Sequence, residues 1–399
     1  MEQLKKRHLN RLKTVNLDYV RSMMGSINWK DRLILIKGQR GVGKTTLMLQ
    51  RVLQEFGSTD TTNVLYISLD NVYFATNSLL DFIEQFHQMG GTTLFIDEVH
   101  KYEGWSREIK NAYDEFTDLR LILSGSSLVN IMQGEADLSR RCISYEMQGL
   151  SFREYVEMFH HQHFDQTSLG DIIEHGNDIC HEVNMRIRPL ALFNEYLRQG
   201  YYPFLLEGSE SYYTRIENVV NMTLESELPQ LRSMDVGNVR KMKALLVALS
   251  SGLPFILDST KLSNVTGISR TTLLQYLQYL QESRLINLLY YDNSTIKRMQ
   301  KPDKIYIENT NMLHVLSSSV NPGTEREVFF VNQLSQSHQI EYSKTAADFT
   351  IDRQYTIEVG GHAKGKKQLA GVADGYIAAD SEEYVIGNKI PLWLFGLTY

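Results

Sequence analysis

Cysteine is nearly absent from this 399-residue chain: there are two, Cys142 and Cys180. Two thiols cannot build a disulfide framework and lack metal-ligand spacing, so both are expected as buried or idle thiols in a reducing compartment. Proline is scarce too, with seven residues, and no tract repeats, which excludes a disordered chain and a solenoid. No long apolar run exists. The longest uncharged stretches, such as LILSGSSLVNIM, fall far short of a membrane span, and the N-terminus MEQLKKRHLNRLK lacks the apolar centre of a signal peptide. A soluble cytoplasmic protein without a membrane partner is therefore expected. An overall positive charge is missing as well: the net charge of −6 excludes wholesale coating of nucleic acid.

What is present fits an ordinary folded protein, 42% hydrophobic and 22% charged, too long for one core and hence multidomain. The charge is unevenly placed. From Arg240 to Lys304 there are ten Lys and Arg against four Asp and Glu, a local excess of +6 that leaves −12 for the remainder.

LILIKGQRGVGKTTL, residues 33–47, runs from an apolar strand pattern through a glycine-rich turn into a helical pattern. Gly38 to Thr45 fits G-x-x-x-x-G-K-[ST] without mismatch. Gly38, Gly41 and Gly43 allow a turn tight enough for its N–H groups, those of Gln39, Arg40 and Val42 among them, to face phosphate oxygens. The helix N-terminus that follows adds its dipole. Lys44 is placed to reach the β- and γ-phosphates of ATP, and Thr45, with Thr46 beside it, to offer a hydroxyl to Mg²⁺.

Such a site needs an acid on the metal, at the end of a neighbouring apolar strand, and TTLFIDEVH supplies it. Asp97 is expected on Mg²⁺, and Glu98 to orient and deprotonate the attacking water. A third apolar run, LRLILSGSS, ends in Ser124, Ser126 and Ser127, and a parallel strand beside the first would bring one hydroxyl to the γ-phosphate edge. Arg140 and Arg141 are candidates for a guanidinium on the transition-state charge, from this chain or from a neighbour.

GQRGVGKTTL, LYISLDN, TTLFIDEVHKYEGWSREIKNAYD, LRLILSGSS and LSFREYVEM, in this order, resemble the AAA-type P-loop ATPases of a large prokaryotic family that carries an uncharacterised C-terminal domain. The resemblance covers most of the chain. It implies an ATPase core, a helical lid, a winged helix and a restriction-endonuclease-like tail. It places Lys44 and Thr45 on phosphate and metal, Asp97 and Glu98 as the acidic pair, and the serines after Leu123 as the sensor. His100 and Trp105 are typical of the segment after the acids; packing is the expectation for Trp105, and His100 has no derived duty.

Read from its residues, the stretch 150–239 is helical, with a break at Gly200 and Pro203, and the histidines at 160, 161 and 163 suit an exposed helix end better than a metal site. Residues 240–308 read as helix, helix-turn-helix and β-hairpin. Leu262 and Val265 anchor the short helix, Gly267 turns the chain, and Ser269 caps a second helix whose Leu273, Leu277 and Leu280 face inward. Arg270, Gln275 and Gln278 on its outer face, with Lys297, Arg298, Lys301 and Lys304 on or near the wing, are the expected contacts to duplex DNA; a domain joint or protein-docking module is the alternative. In residues 309–399 the pattern resembles the restriction-endonuclease-like fold, which implies Glu327, Asp348 and Glu358 as metal carboxylates. The lysine expected two residues after the second acid is replaced by Gly360, with Lys364, Lys366, Lys367 and Gln368 following. A degenerate scaffold is expected, and an ATP-gated nuclease is the alternative.

The expected fold class is α/β: an AAA-like P-loop NTPase parallel sheet (residues 1–149), a helical lid (150–239), a winged helix (240–308) and a C-terminal α/β restriction-endonuclease-like domain (309–399). The expected function is a Mg²⁺-dependent ATPase switch, and the third reading is a regulator that binds nucleotide without hydrolysis. ATP and Mg²⁺ are the expected cofactors, with a protein partner or self-association through the core left open.

Overall fold

The computed structural model describes residues 1–128, 138–232, 234–251, 259–291, 301–343, 347–361 and 374–399. The chain divides into two compact units, Met1–Gly149 and Leu150–Tyr399.

The first unit is built on five parallel strands, β1 (Leu33–Lys37), β2 (Val64–Ser68), β3 (Thr93–Asp97), β4 (Arg120–Gly125) and β5 (Ile143–Glu146), in the order β2-β3-β4-β1-β5. Near-continuous apolar runs make the inner strands, because helices cover a parallel sheet on both faces. β4 lies against β1, as LRLILSGSS suggests. The strand carrying Asp97 does not: β4 separates β3 from β1, so the acid arrives from one strand further away than expected. β2 is an edge strand. The N-terminal helix Glu2–Leu12 buries Leu4, His8 and Leu12, and the imidazole Nδ1 of His8 accepts the backbone N–H of Tyr66 on β2 at 2.9 Å while Nε2 lies 3.1 Å from the Asp60 carbonyl. A side chain thus satisfies an edge backbone group that would otherwise need water.

In the second unit the residues expected as lid, winged helix and tail share one compact body. Its opening helix Phe152–His160 and its C-terminus are locked together: Ser151 Oγ donates to the Tyr399 carbonyl at 2.6 Å, and Arg153 Nε to the same oxygen at 3.1 Å. Asn311 is a buried hub. Its Oδ1 accepts the N–H groups of Gly200 and Tyr201, both at 2.8 Å, and its Nδ2 donates to the Tyr196 and Leu197 carbonyls, both at 2.9 Å.

The helix Ser259–Thr266, a turn at Gly267 with φ 67°, and the helix Arg270–Glu282 form a helix-turn-helix, and Ser269 caps the second helix by accepting the Thr272 N–H. Leu262, Leu273, Leu277 and Leu280 are buried. Val265 is not, with 63% of its surface exposed, and Ile268 takes the inward place instead, because the short helix turns only Leu262 to the core. The antiparallel pair β6 (Ile286–Leu289) and β7 (Lys304–Ile307) follows. A mixed sheet then orders β12 (Lys389–Pro391), β11 (Gly375–Ala379), β10 (Tyr355–Gly360), β9 (Phe349–Ile351) and β8 (Ile340–Tyr342), with β10 to β12 parallel and β8 to β10 antiparallel.

Candidate nucleotide site

The phosphate loop leaves β1 at Lys37 and enters the helix Lys44–Phe56. Gly41 and Gly43 stand at φ 87° and 102°, a region costly for residues with a Cβ, and Gly43 caps the helix from there. Val42 is fully buried beneath the loop. Arg21, which sequence reasoning missed, pins it: Nη1 donates to the Val42 carbonyl at 2.9 Å and Nη2 to the Gln148 and Gly149 carbonyls at 3.0 and 2.8 Å. No local pattern marks an arginine whose partners lie up to 128 residues away. Lys44 is buried, and its ammonium donates to the carbonyls of Gly38 and Gln39 at 2.8 and 3.0 Å, across the mouth of the loop. Gln39 is buried, Arg40 half-buried and Thr46 exposed.

Asp97 ends β3, only 3% exposed, inside a shell of donors. Thr45 Oγ1 donates to its Oδ2 at 2.7 Å, the Tyr66 hydroxyl to the same oxygen at 2.6 Å, Ser124 Oγ to Oδ1, and the Glu98 N–H to Oδ1 at 3.1 Å. Burial and the charge of Asp97 hold the Tyr66 phenol well above its usual range, so it stays a donor. By donating its proton to Asp97, Thr45 leaves its oxygen lone pairs for a cation. Two hard oxygen groups side by side suit Mg²⁺, which takes few protein ligands and keeps water and phosphate oxygens for the rest. The residues present therefore fit the metal.

Glu98 is half-buried and has φ 57°. This left-handed conformation costs a residue with a Cβ about 1 kcal/mol and is common where side chains are re-aimed at functional sites. It starts the short turn Val99–Lys101, which folds His100 back so that its Nε2 lies 3.3 Å from Glu98 Oε2. Ser126 and Ser127 are buried beyond the end of β4. Trp105 is buried in the core, as its packing reading requires.

Arg140 and Arg141 are not brought to this site within the chain. They precede β5, which runs parallel to β1, so they lie at the opposite end of the strands, about 13 Å of strand away from the loop. Arg141 there makes a two-pronged bond to Asp114, at 2.8 and 3.0 Å.

In the second unit Arg270, Gln275, Gln278 and Lys301 are exposed; Lys297 and Arg298 lie outside the described residues, as do Lys364, Lys366, Lys367 and Gln368. Lys304 overturns its expected role on the wing. It is buried, its Nζ 3.4 Å from Glu327 Oε2, 3.7 Å from Asp348 Oδ1 and 4.9 Å from the Tyr342 ring centre, and the Tyr306 hydroxyl donates to Glu327 at 2.6 Å. β7 is covered on both faces, so Lys304 has no solvent side and turns to the acids. Glu358 is buried on β10, and Asp348 Oδ2 accepts the Val359 N–H at 3.0 Å. Among the described residues no three His, Cys, Asp or Glu side chains are grouped to hold a metal ion, so Glu327, Asp348 and Glu358 do not assemble the expected centre. An ammonium occupies the space between the first two.

Residues 30–156 match a family model described as AAA domain, and residues 190–322 match one described as Domain of unknown function (DUF8612). The first unit has a P-loop NTPase core. An uncharacterized protein of Methanocaldococcus jannaschii, MJ1637, is 26% identical over 91% of this chain and 82% of its own length. Among solved structures, the chain is similar to domain III of the Thermotoga maritima replication initiation protein DnaA, at 16% identity and a TM-score of 0.27, over 36% of this chain and 73% of that one. It is also similar to the S. cerevisiae Hsp104-ADP complex, at 18% and 0.26, over 70% of this chain and 39% of that one. C. elegans PCH-2 stands at 13% and 0.26, over 70% and 67%. TM-scores this low establish no common fold, and the assignment rests on the matched AAA domain, the strand order and the phosphate loop. Among the described residues no helix is long and apolar enough to cross a membrane.

Proposed function

We propose that this protein is a Mg²⁺-dependent ATPase whose nucleotide state is coupled to a DNA-binding helix-turn-helix. The observation that carries the reading is the 2.7 Å bond from Thr45 to Asp97, which joins the phosphate loop to an acid from another strand. In this reading the loop amides and Lys44 hold the triphosphate, and Thr45 and Asp97 hold Mg²⁺, which when bound neutralises phosphate charge. Glu98 accepts a proton from the attacking water, and the αL turn aims its carboxylate. The guanidinium on the transferring phosphoryl group comes from a second copy, since Arg140 and Arg141 of the same chain stand at the other end of the strands.

Exposed Arg270, Gln275 and Gln278 on one helix support contact with a duplex, as does the two-stranded sheet of β6 and β7 that follows that helix in the chain. The tail serves as a scaffold in this reading, because Lys304 sits between the carboxylates a nuclease would give to metal.

The test is ATP turnover with and without duplex DNA, read with molecular mass in solution. Turnover that needs Mg²⁺, disappears in Lys44→Ala and rises with DNA is expected. A Lys44→Ala rate equal to wild type removes the ATPase reading, and a DNA affinity indifferent to salt removes the phosphate-contact reading.

A further inference from the structure

His100 stands between two parts of the site that must act in sequence. Its Nδ1 accepts the backbone N–H of Ser126, just past β4, at 3.4 Å. An acceptor Nδ1 carries no proton, so in the neutral ring the proton is on Nε2, which lies 3.3 Å from Glu98 Oε2 but out of line for a hydrogen bond to it. The ring is almost wholly buried, its side chain 5% exposed, whereas Glu98 keeps 22% of its side chain open. A second link runs the same way, with the Glu98 N–H 3.3 Å from Ser124 Oγ. The end of β4 therefore reaches Glu98 twice, once through the Ser124 hydroxyl on the Glu98 N–H and once through the His100 imidazole.

Resting on the ATPase reading above, we propose that His100 is a positioning residue that ties the aim of the Glu98 carboxylate to the loop at the end of β4. When that loop shifts toward a γ-phosphate, the Ser126 amide carries the ring with it, the Nε2–H comes into line with the Glu98 carboxylate, and the new hydrogen bond aims it at the water. No covalent bond is made or broken by His100. The water proton goes to Glu98.

The experiment compares His100→Phe, which keeps ring volume but has no polar atom, with His100→Gln, whose amide N–H reaches about as far as Nε2. kcat and the Kd for ATP are measured separately. His100→Phe is expected to lower kcat on the order of 10- to 100-fold with Kd within about twofold, because misaimed catalytic groups lose rate and not binding. His100→Gln is expected to recover part of that rate. In a Glu98→Asp background, whose shorter acid is out of reach, His100→Phe is expected to cost little more. Separately, ¹⁵N-histidine NMR of the nucleotide-free protein is expected to show His100 as the Nε2–H tautomer, its signal moving in Glu98→Gln.

A wild-type kcat in His100→Phe, a loss confined to Kd, or an Nδ1–H tautomer overturns the proposal. If wild type hydrolyses no ATP the enzymatic reading falls by itself, and the tautomer and its response to Glu98→Gln still decide whether His100 holds the glutamate.

Discussion

Replacing Tyr66 by Phe removes a single oxygen from the nucleotide site, and the structure says what that oxygen does. It donates to Asp97 Oδ2 at 2.6 Å in a place where Asp97 is 3% exposed and Tyr66 5%. A hydrogen bond to a charged group contributes about 1.5–3 kcal/mol, and water cannot easily replace it at this depth. Thr45, Ser124 and the Glu98 N–H stay on the carboxylate, so the charge is not orphaned and the loss should sit near 2 kcal/mol. For a unit of this size that lowers Tm by roughly 4–8 °C. Scanning calorimetry of Tyr66→Phe reads it as a downshift of the Met1–Gly149 transition. Because burial and Asp97 hold the phenol far above its usual range, the downshift should be equal at pH 6 and pH 9. The same variant should keep its Mg²⁺ requirement for turnover, since Thr45 and Asp97 are intact. A Tyr66→Phe Tm within 1 °C of wild type would refute the bond and, with it, the packed environment assigned to Asp97.

Lys304→Met leaves Glu327 and Asp348 without their shared cation and should cost about 3 kcal/mol, whereas Lys301→Met, on the surface, should stay within about 0.5 kcal/mol; equal urea midpoints would contradict the buried ion pair. Asn311→Ala strips partners from two buried N–H groups and two carbonyls and should destabilise the second unit by at least about 3 kcal/mol, seen as a lower urea midpoint at unchanged m; a midpoint equal to wild type would mean that the hub is not buried. Burial holds the His8 imidazole below its usual 6.5. The unfolded chain therefore takes the proton first, and stability present above about pH 6.5 is lost as pH falls below it. Melting temperatures from pH 7.5 to 5 should fall more steeply in wild type than in His8→Gln, and parallel slopes would rule the linkage out.

The phosphate loop was legible because its geometry is written locally. Gly41 and Gly43 adopt angles that few other residues tolerate, and Lys44 and Thr45 follow from the helix start. Asp97 and Glu98 stood out in the sequence because a strand ending in two acids follows a matching phosphate loop. That β3 stands one strand away from β1 was not legible, since strand order is set by crossover packing and not by any strand's own residues.

Lys304 shows the harder limit. A lysine opening a strand looks solvent-bound when the strand is assumed to have one wet face. β7 has none, and partners 23 and 44 residues downstream decided where the ammonium went. Arg21 and Asn311 escaped notice for the same reason: each is one polar residue whose worth comes from backbone groups that the fold, and not the sequence, brings near.

Gly38 sets a boundary on how this pocket can change. A Cβ added there would stand 2.2 Å from the Met147 carbonyl oxygen, backbone that cannot step aside. Lineages drifting toward another nucleotide, and libraries built to push them there, are confined to the loop's remaining variable places. Diversity has to enter through Gln39 and Arg40, while that first glycine codon stays shut.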